Sequence, residues 1–162
     1  MRAWFATTES RFVLAMLLAF GAISGAWFSE LVLGYVPCML CLWERWPYYI
    51  GLPLMVGALV MARGSHARHL PMLAGVIGVI FLGSMALGAY HAGVEWKWFP
   101  APCGGRLGGA EMSLEDFRKS LNTARVVLCN EAPMRVLGLS FAGWNAVVSA
   151  MIAGLCWRVA KS

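Results

Sequence analysis

A Cys-x-x-Cys motif, formed by Cys38 and Cys41, is the part of the chain best suited to chemistry. It lies between two long apolar segments, and Arg45 follows Cys41 by four residues. In a helix that begins near Cys41, residues four apart share one face, so the guanidinium would lie beside the Cys41 sulfur. A nearby cation and a helix N-terminus stabilise a thiolate, whereas burial and the carboxylate of Glu44 destabilise it. The motif therefore predicts a redox-active dithiol, and a structural disulfide is the alternative interpretation.

The composition of the chain indicates that a lipid bilayer is its solvent. Its 162 residues are 60% hydrophobic and 13% charged, and the mean hydropathy is +0.67. A soluble domain is usually about half apolar and about a quarter charged. The net charge of +5 does not indicate nucleic-acid binding, because the basic residues lie mostly at the ends of apolar segments and in connecting loops. We expect a single integral membrane domain over residues 1–162.

Four apolar segments are long enough to cross about 30 Å of hydrocarbon at about 1.5 Å per residue. They cover approximately residues 12–33, 42–61, 70–90 and 136–157. We expect the first to be a retained span rather than a cleaved signal peptide, because apolar sequence continues past the small residues at 22–26. The predicted fold is an all-α membrane protein, a four-transmembrane-helix bundle. Its connections at 34–41 and 91–135 lie on one side, and the longer one contains a short amphipathic helix near 113–121.

Positive charges predict the orientation of these spans. They cluster at the N-terminus, in the connection after the second span and at the C-terminus: Arg2, Arg11, Arg63, Arg68, Arg158 and Lys161. The positive-inside rule makes this side cytoplasmic, with both termini in the cytoplasm. The loops 34–41 and 91–135 then lie outside, which in a bacterium means the periplasmic face of the inner membrane.

Four of the five cysteines are predicted to lie on that outer side, namely Cys38, Cys41, Cys103 and Cys129. The bacterial periplasm is oxidising, so disulfides persist there. Cys156 is predicted at the cytoplasmic end of the fourth span. We interpret it as a small apolar packing residue.

The two outer cysteine pairs permit three kinds of chemistry. Two structural disulfides would staple the loops. A four-thiolate zinc site usually combines two closely spaced pairs, and the 26 positions from Cys103 to Cys129 fit that pattern poorly. A relay would pass electrons by thiol–disulfide exchange from an outside dithiol to an acceptor in the membrane.

The acceptor that suits a relay at this place is a membrane quinone. The Cys-x-x-Cys motif directly precedes the second span, and the sequence carries no nucleotide-binding or haem-binding motif. A quinone ring at the interface needs donors that stabilise charge on its oxygens as it is reduced. Arg45 is one candidate, and His91 at the outer end of the third span is another.

In combination, these motifs resemble the DsbB family of bacterial inner-membrane quinone reductases. The matching parts are residues 37–41 with Glu44 and Arg45, residues 91–96 leading to Pro102 and Cys103, and Cys129 followed by residues 137–140 and 144–145. The resemblance covers nearly the whole chain. The chain departs from the family pattern in the Gly-rich sequence directly after Cys103, which affects how that cysteine is presented to a partner.

The resemblance implies a thiol:quinone oxidoreductase that reoxidises a periplasmic DsbA-like thiol oxidase. By position, it implies Cys38–Cys41 and Cys103–Cys129 disulfides. The reduced partner would attack Cys103 to give a mixed disulfide. The freed Cys129 would then attack Cys38, giving a transient Cys38–Cys129 disulfide between the loops.

The same resemblance implies a quinone site at the second pair. Cys41 would be left as a thiolate that donates electrons to ubiquinone or menaquinone, stabilised by Arg45. His91 matches the family histidine near the quinone ring, and Glu44 belongs to the same motif. No metal site is assigned from the sequence.

Two other functions stay open on the sequence. One is a vitamin K epoxide reductase-like thiol oxidoreductase, in which the Cys-x-x-Cys beside the quinone is expected late in the bundle rather than before the second span. The other is a non-catalytic membrane scaffold or metal-binding protein that uses its cysteines as staples or ligands.

Overall fold

The computed structural model is mostly helical, as predicted, and describes residues 2–64, 66–100, 102, 129, 130, 132 and 134–161, with side chains from residue 7 onward. Its helices are α1 (Arg2–Leu31), α2 (Met39–Trp43), α3 (Trp46–Arg63), α4 (Leu70–Glu95) and α5 (Phe141–Ala160), with a 3-10 turn at Ala67–His69. Two short strands, β1 (Arg135–Val136) and β2 (Leu139–Ser140), precede α5. Cys103 and the predicted amphipathic helix near 113–121 lie outside the described residues.

Proline and a serine cap determine where three of the long helices begin. Pro47 and Pro71 occupy the first turns of α3 and α4, where a missing N–H removes no helical hydrogen bond. Ser140 caps α5, because its Oγ accepts a hydrogen bond from the Gly143 N–H at 3.2 Å. Helix α3 begins four residues after the predicted span boundary at 42, and helix α5 begins five residues after the one at 136. The apolar run from residue 42 includes the end of the separate helix α2.

Helix α4 ends at Glu95, beyond the predicted boundary at residue 90. The Trp98 N–H donates to the Gly93 carbonyl at 2.8 Å, and the Lys97 N–H donates to the Val94 carbonyl at 3.0 Å. Lys97 has φ 63°, the left-handed conformation that commonly terminates a helix in this way. The longer helix places His91 and Glu95 on successive turns of one face.

The four long helices pack as α1 with α3, α3 with α4, α4 with α5, and α5 with α1. Helix α4 approaches α5 most closely at Gly88, where an added Cβ would lie 2.9 Å from the Ala146 nitrogen and from Asn145 Nδ2. Small residues permit such an approach. In α1, by contrast, a Cβ at Gly21 or Gly25 would meet no atom of the described residues within 4 Å.

The outer surface of the bundle is apolar. Exposed side chains include Leu17 (64%) on α1, Val60 (67%) on α3 and Met72 (75%) on α4. Surfaces of this kind are uncommon on soluble monomers. Two described segments, Thr7–Leu31 and Ala67–Glu95, are long and apolar enough to cross a membrane. The chain thus has the character of a membrane protein, and four spans with a fixed orientation stay a prediction.

The strands β1 and β2 form a small antiparallel hairpin that connects to α5. Arg135 pairs with Ser140 and Val136 with Leu139, so the turn consists of two residues, Leu137 and Gly138. Both have positive φ, 53° and 87°, as the tight turns of two-residue hairpins require. The Trp144 indole N–H donates to the Val136 carbonyl at 2.9 Å and fastens the hairpin to α5.

Candidate functional site

The Cys-x-x-Cys motif forms the first turn of α2. Cys38 is the N-cap, and its Sγ accepts a hydrogen bond from the Cys41 N–H at 3.2 Å. The two sulfurs lie 2.7 Å apart, and both thiols are free. Cys38 is buried and Cys41 is half-buried. The disulfide predicted between them for the resting protein stays a prediction.

Arg45 is separated from the motif by a break between two helices. The predicted stacking of its guanidinium on Cys41 requires one helix that begins near Cys41, but α2 begins at Met39 and ends before Arg45, which caps α3. The Arg45 Nη1 instead donates to Glu30 Oε2 at 2.6 Å, and the guanidinium lies 5.4 Å from the Trp27 ring centre. Arg45 is therefore anchored to α1 at the edge of the site.

His91 of α4 is the side chain that contacts the buried thiol. Its Nε2 lies 3.6 Å from Cys38 Sγ, and its Nδ1 lies 2.7 Å from Glu44 Oε1. The Glu44 carboxylate accepts a hydrogen bond from the His91 Nδ1–H. This hydrogen bond orients the ring so that Nε2 faces the sulfur. All three side chains are buried. They form a Cys–His–Glu row, an arrangement that activates a thiol as a nucleophile or leaving group.

The two cysteines of the motif differ in pKa, and Cys38 is the one that ionises first. The hydrogen bond from the Cys41 thiol lowers the pKa of Cys38 to about 4, and His91 acts in the same direction against the effect of burial. The same sulfur–sulfur hydrogen bond raises the pKa of Cys41, because a second charge would lie directly beside the first. The dithiol form therefore carries its negative charge on Cys38. The predicted Cys41 thiolate belongs to a different state, in which Cys38 is part of a disulfide.

Cys129 reaches the same site from the other end of the long connection. It is disulfide-bonded, and it packs with Cys38 and Val94 in a small buried cluster. Its predicted partner, Cys103, lies outside the described residues. Cys156 lies elsewhere, in the main apolar core among residues such as Ile77 and Ile152, as its interpretation as a packing residue requires.

Glu95 is a site residue that the sequence did not single out. Its side chain is 3% exposed, and its Oε1 lies 4.0 Å from His91 Nε2. Among the described residues, its Oε2 has no hydrogen-bond partner. The available signal was the four-residue spacing from His91, which indicates a shared helix face only if the helix continues past residue 90.

A buried hydrogen-bond network, also not foreseen, joins the three helices around the site. Tyr48 Oη of α3 donates to Asn145 Oδ1 of α5 at 2.5 Å. Ser149 Oγ, also on α5, donates to Ser84 Oγ of α4 at 2.9 Å. Such contacts fix the relative positions of α3, α4 and α5, which carry or flank the reactive residues.

A cavity of about 310 Å³ opens beside the thiols. Its lining combines small residues of α1, reactive groups and residues of α5, including Gly21, Gly25, Cys38, Cys41, Glu44, Arg45, His91, Glu95, Trp144 and Asn145. A side chain at position 21 or 25 would project into space that glycine leaves open. An apolar cavity with a few convergent polar groups suits a small organic ligand.

Comparison with known proteins gives a consistent family assignment. The family model described as Disulfide bond formation protein DsbB matches residues 8–159. The chain is 30% identical over 148 residues to disulfide bond formation protein B of Xanthomonas oryzae pv. oryzae, which covers 86% of this chain and 82% of that protein. It is 29% identical over 152 residues to the protein of the same name from Cupriavidus pinatubonensis, with coverage of 88% and 86%. No solved structure is detectably similar.

The family match extends over α1 to α5 and includes the buried Cys-x-x-Cys motif and the histidine that contacts it. The chain therefore belongs to the DsbB family of disulfide bond formation proteins.

Proposed function

We propose that the protein is an inner-membrane thiol:quinone oxidoreductase that reoxidises a periplasmic DsbA-like thiol oxidase. The observation that carries this proposal is the position of Cys129, which is disulfide-bonded and packs against Cys38 at a cavity lined by Cys41. A disulfide-bonded cysteine packed against a Cys-x-x-Cys pair, with an apolar cavity beside that pair, is what an electron relay needs. The family match favours this activity over a vitamin K epoxide reductase-like one.

Two exchange steps account for electron transfer between the pairs. The thiolate of the reduced partner attacks Cys103 in a Cys103–Cys129 disulfide, and Cys129 leaves as a thiolate. Cys129 then attacks Cys38 in a Cys38–Cys41 disulfide, forming the Cys38–Cys129 bond and releasing Cys41 as a thiolate. Each step breaks one sulfur–sulfur bond and forms another, so no further oxidant is needed. The packing of Cys129 with Cys38 supports the second step.

His91 and Glu44 assist whenever Cys38 must leave a disulfide. A thiolate leaves faster when its pKa is low. The hydrogen bond from the Cys41 thiol is the largest cause that lowers the pKa of Cys38, and the contact with His91 acts in the same direction. The Nε2 atom of His91 lies within 3.6 Å of that sulfur, where it stabilises the released charge. Glu44 holds the ring in this orientation through the Nδ1 contact.

The cavity fits the quinone that the family implies. On the α1 side, Gly21 and Gly25 leave the cavity wide. The cavity is also lined by the thiol of Cys41, the guanidinium of Arg45 and the imidazole of His91. Arg45 and His91 would hold the ring oxygens beside the Cys41 sulfur. A bound ubiquinone or menaquinone accepts two electrons and two protons, which is the capacity of one dithiol.

The orientation proposed for the bundle follows from its two ends. Arg63 contacts Glu9 and Arg11 contacts the Arg158 carbonyl, so the basic N-terminus, the connection after α3 and the C-terminus meet at one end. The thiols lie at the opposite end. Positive charge at the first end supports a cytoplasmic location for it and a periplasmic location for the site.

A reconstituted reaction tests this function. Purified protein is mixed with a reduced DsbA-like thiol oxidase and a short-chain quinone, and the quinone absorbance is followed. One quinone should be reduced for each partner dithiol that is oxidised. Absence of quinone-dependent thiol oxidation would refute the proposal and favour the non-catalytic scaffold.

A further inference from the structure

We infer that the dithiol form of this site binds one divalent transition-metal ion, such as Zn²⁺, through Cys38, Cys41 and His91, with Glu95 as the fourth ligand. Binding displaces the remaining thiol proton and involves no electron transfer. Oxidation of the pair to a disulfide removes both sulfur ligands, so the site exists only in the reduced protein. The inference that the site binds a metal rests on the ligand geometry alone. The expected loss of quinone turnover when the metal is bound rests on the proposed function.

Three of the four proposed ligand atoms already lie close together. The two sulfurs and the His91 nitrogen are all within 4.8 Å of one another. A tetrahedral zinc ion, with bonds of about 2.3 Å to sulfur and about 2.0 Å to nitrogen, separates a sulfur from a nitrogen by about 3.6 Å and two sulfurs by about 3.8 Å. Cys38 Sγ and His91 Nε2 lie 3.6 Å apart. The sulfurs, 2.7 Å apart, must separate by about 1 Å to reach this spacing.

Glu44 orients His91 in the way that metal sites require. A histidine that binds a metal through one ring nitrogen almost always donates its other N–H to a carboxylate, a carbonyl or water. The 2.7 Å contact between Nδ1 and Glu44 Oε1 has this form and leaves Nε2 facing the sulfur. The Cys-x-x-Cys spacing is likewise typical of zinc sites.

Glu95 supplies an independent indication of a cation. Its side chain is 3% exposed, and its Oε1 lies 4.0 Å from His91 Nε2. Within the described part of the chain its Oε2 has no hydrogen-bond partner, and a buried polar atom left in this state is costly. The Arg45 guanidinium at the same cavity is already paired with Glu30 at 2.6 Å. A metal ion between Glu95 and the two thiolates would neutralise charge that this arginine does not.

Cobalt(II) binding to the full-length protein in detergent tests the site. The Cys103→Ala, Cys129→Ala double variant removes the other outer thiols, and a phosphine reductant keeps Cys38 and Cys41 reduced. One Co²⁺ per chain should bind with a thiolate-to-cobalt absorption band, and Zn²⁺ should displace it. The oxidised protein should show no band. Absence of the band in the reduced protein would overturn the inference.

Carboxylate variants test whether Glu44 orients the ligand histidine. Glu44→Gln should weaken Co²⁺ binding by roughly 10–100-fold, the usual effect of losing the group that orients a ligand histidine. Glu30→Gln is the matched control, because it removes a carboxylate from the Arg45 side of the cavity and should leave affinity unchanged. Equal losses in the two variants would show that negative charge alone attracts the ion. X-ray absorption of the unsubstituted zinc-loaded protein should show two sulfur and two lighter ligands, and a sulfur-only shell would contradict the assignment.

The quinone reaction separates this inference from the proposed function. Protein preloaded with one equivalent of Zn²⁺ should lose quinone turnover and regain it when a chelator is added. Turnover that is normal in a protein that binds no Co²⁺ would overturn the metal site and keep the function. Co²⁺ binding by a protein that never reduces quinone would keep the metal site and overturn the function.

Discussion

The two ends of the helical bundle each carry an acid–base pair, but the surroundings of these pairs differ sharply. At one end Arg63 Nε contacts Glu9 Oε1 at 3.1 Å, and the side chains are 69% and 30% exposed. At the other end His91 Nδ1 contacts Glu44 Oε1 at 2.7 Å, and the side chains are 3% and 9% exposed. Water and salt screen the first pair, so it contributes little. The second is buried, and its histidine lies 3.6 Å from the Cys38 sulfur.

The difference teaches that charge alone does not identify a functional pair. Both pairs join residues far apart in sequence, and both obey ordinary hydrogen-bond geometry. Only the buried pair has a further contact, from His91 to the Cys38 sulfur. The following predictions test whether the two ends differ in function as much as they differ in exposure.

Removing the reactive sulfur should have the largest effect. Cys41→Ser should abolish quinone reduction, because the pair can then neither form its disulfide nor deliver electrons, while the mixed disulfide with the DsbA-like partner should still form. Quinone absorbance and non-reducing electrophoresis measure the two steps. Cys156→Ala is the control and should keep full activity. Unchanged turnover in Cys41→Ser would contradict the assigned role.

The reduced pair should stay reactive at acid pH. The pKa of Cys38 is lowered from 9.0 to about 4, so its thiolate is present above about pH 4 and is lost only as the pH falls through that value. Alkylation at Cys38 by a small reagent, located by mass spectrometry, should therefore change little between pH 8 and pH 5.5. An ordinary thiol loses about tenfold in thiolate per pH unit over this range. A tenfold loss per unit at Cys38 would show that its charge is not stabilised.

Loss of the carboxylate behind the histidine should have a smaller but clear effect. Glu44→Gln leaves His91 without its charged acceptor, and turnover should fall by about 100-fold, within the range for a positioned acid–base group. The same change at the exposed end, Glu9→Gln, is the matched control and should leave turnover unaltered. Similar rates in the two variants would remove the distinction between the ends.

Arg45→Ala should weaken quinone use more than folding. The guanidinium lines the cavity and is anchored by Glu30, so its loss should raise the apparent KM for quinone by about tenfold, the equivalent of about 1.4 kcal/mol. The thermal unfolding midpoint in detergent is measured alongside. An unaltered KM together with a lower midpoint would assign Arg45 a structural role only.

The smallest effect is expected at the exposed pair. Arg63→Ala removes a contact that solvent already screens, and neither the unfolding midpoint nor quinone turnover should change measurably. A clear loss of either would mean that this end of the bundle takes part in function.

The sequence was sufficient to predict which residues meet at the candidate site, but not all of their contacts. Cys38, Cys41, Glu44 and His91 were predicted as site residues, and the structure brings them together. The Arg45 contact was predicted within one continuous helix. The helix is interrupted between α2 and α3, and Glu30 of α1 lies near Arg45. Arg45 therefore forms an ion pair with Glu30 on another helix. Such pairing depends on tertiary packing, which local spacing does not encode.

Small-residue patterns show the same limit. Gly21 with Gly25, and Ser84 with Gly88, have the same spacing, and both predict close helix approach. Only the second pair lies at such a contact, whereas the first lines the cavity. The pattern specifies where a helix surface is flat. Which neighbour, if any, occupies that surface is decided by the whole fold.

The hydrogen bond between Trp144 and the hairpin limits how far Cys129 can move. Trp144 holds β1 in place, and only five residues lie between Cys129 and Arg135, so this cysteine has a reach of about 20 Å from Arg135 at full extension. This short connection keeps Cys129 close to Cys38, the sulfur it packs against. In the proposed relay the outside partner meets Cys103, so Cys129 can serve the inner pair without moving far from it.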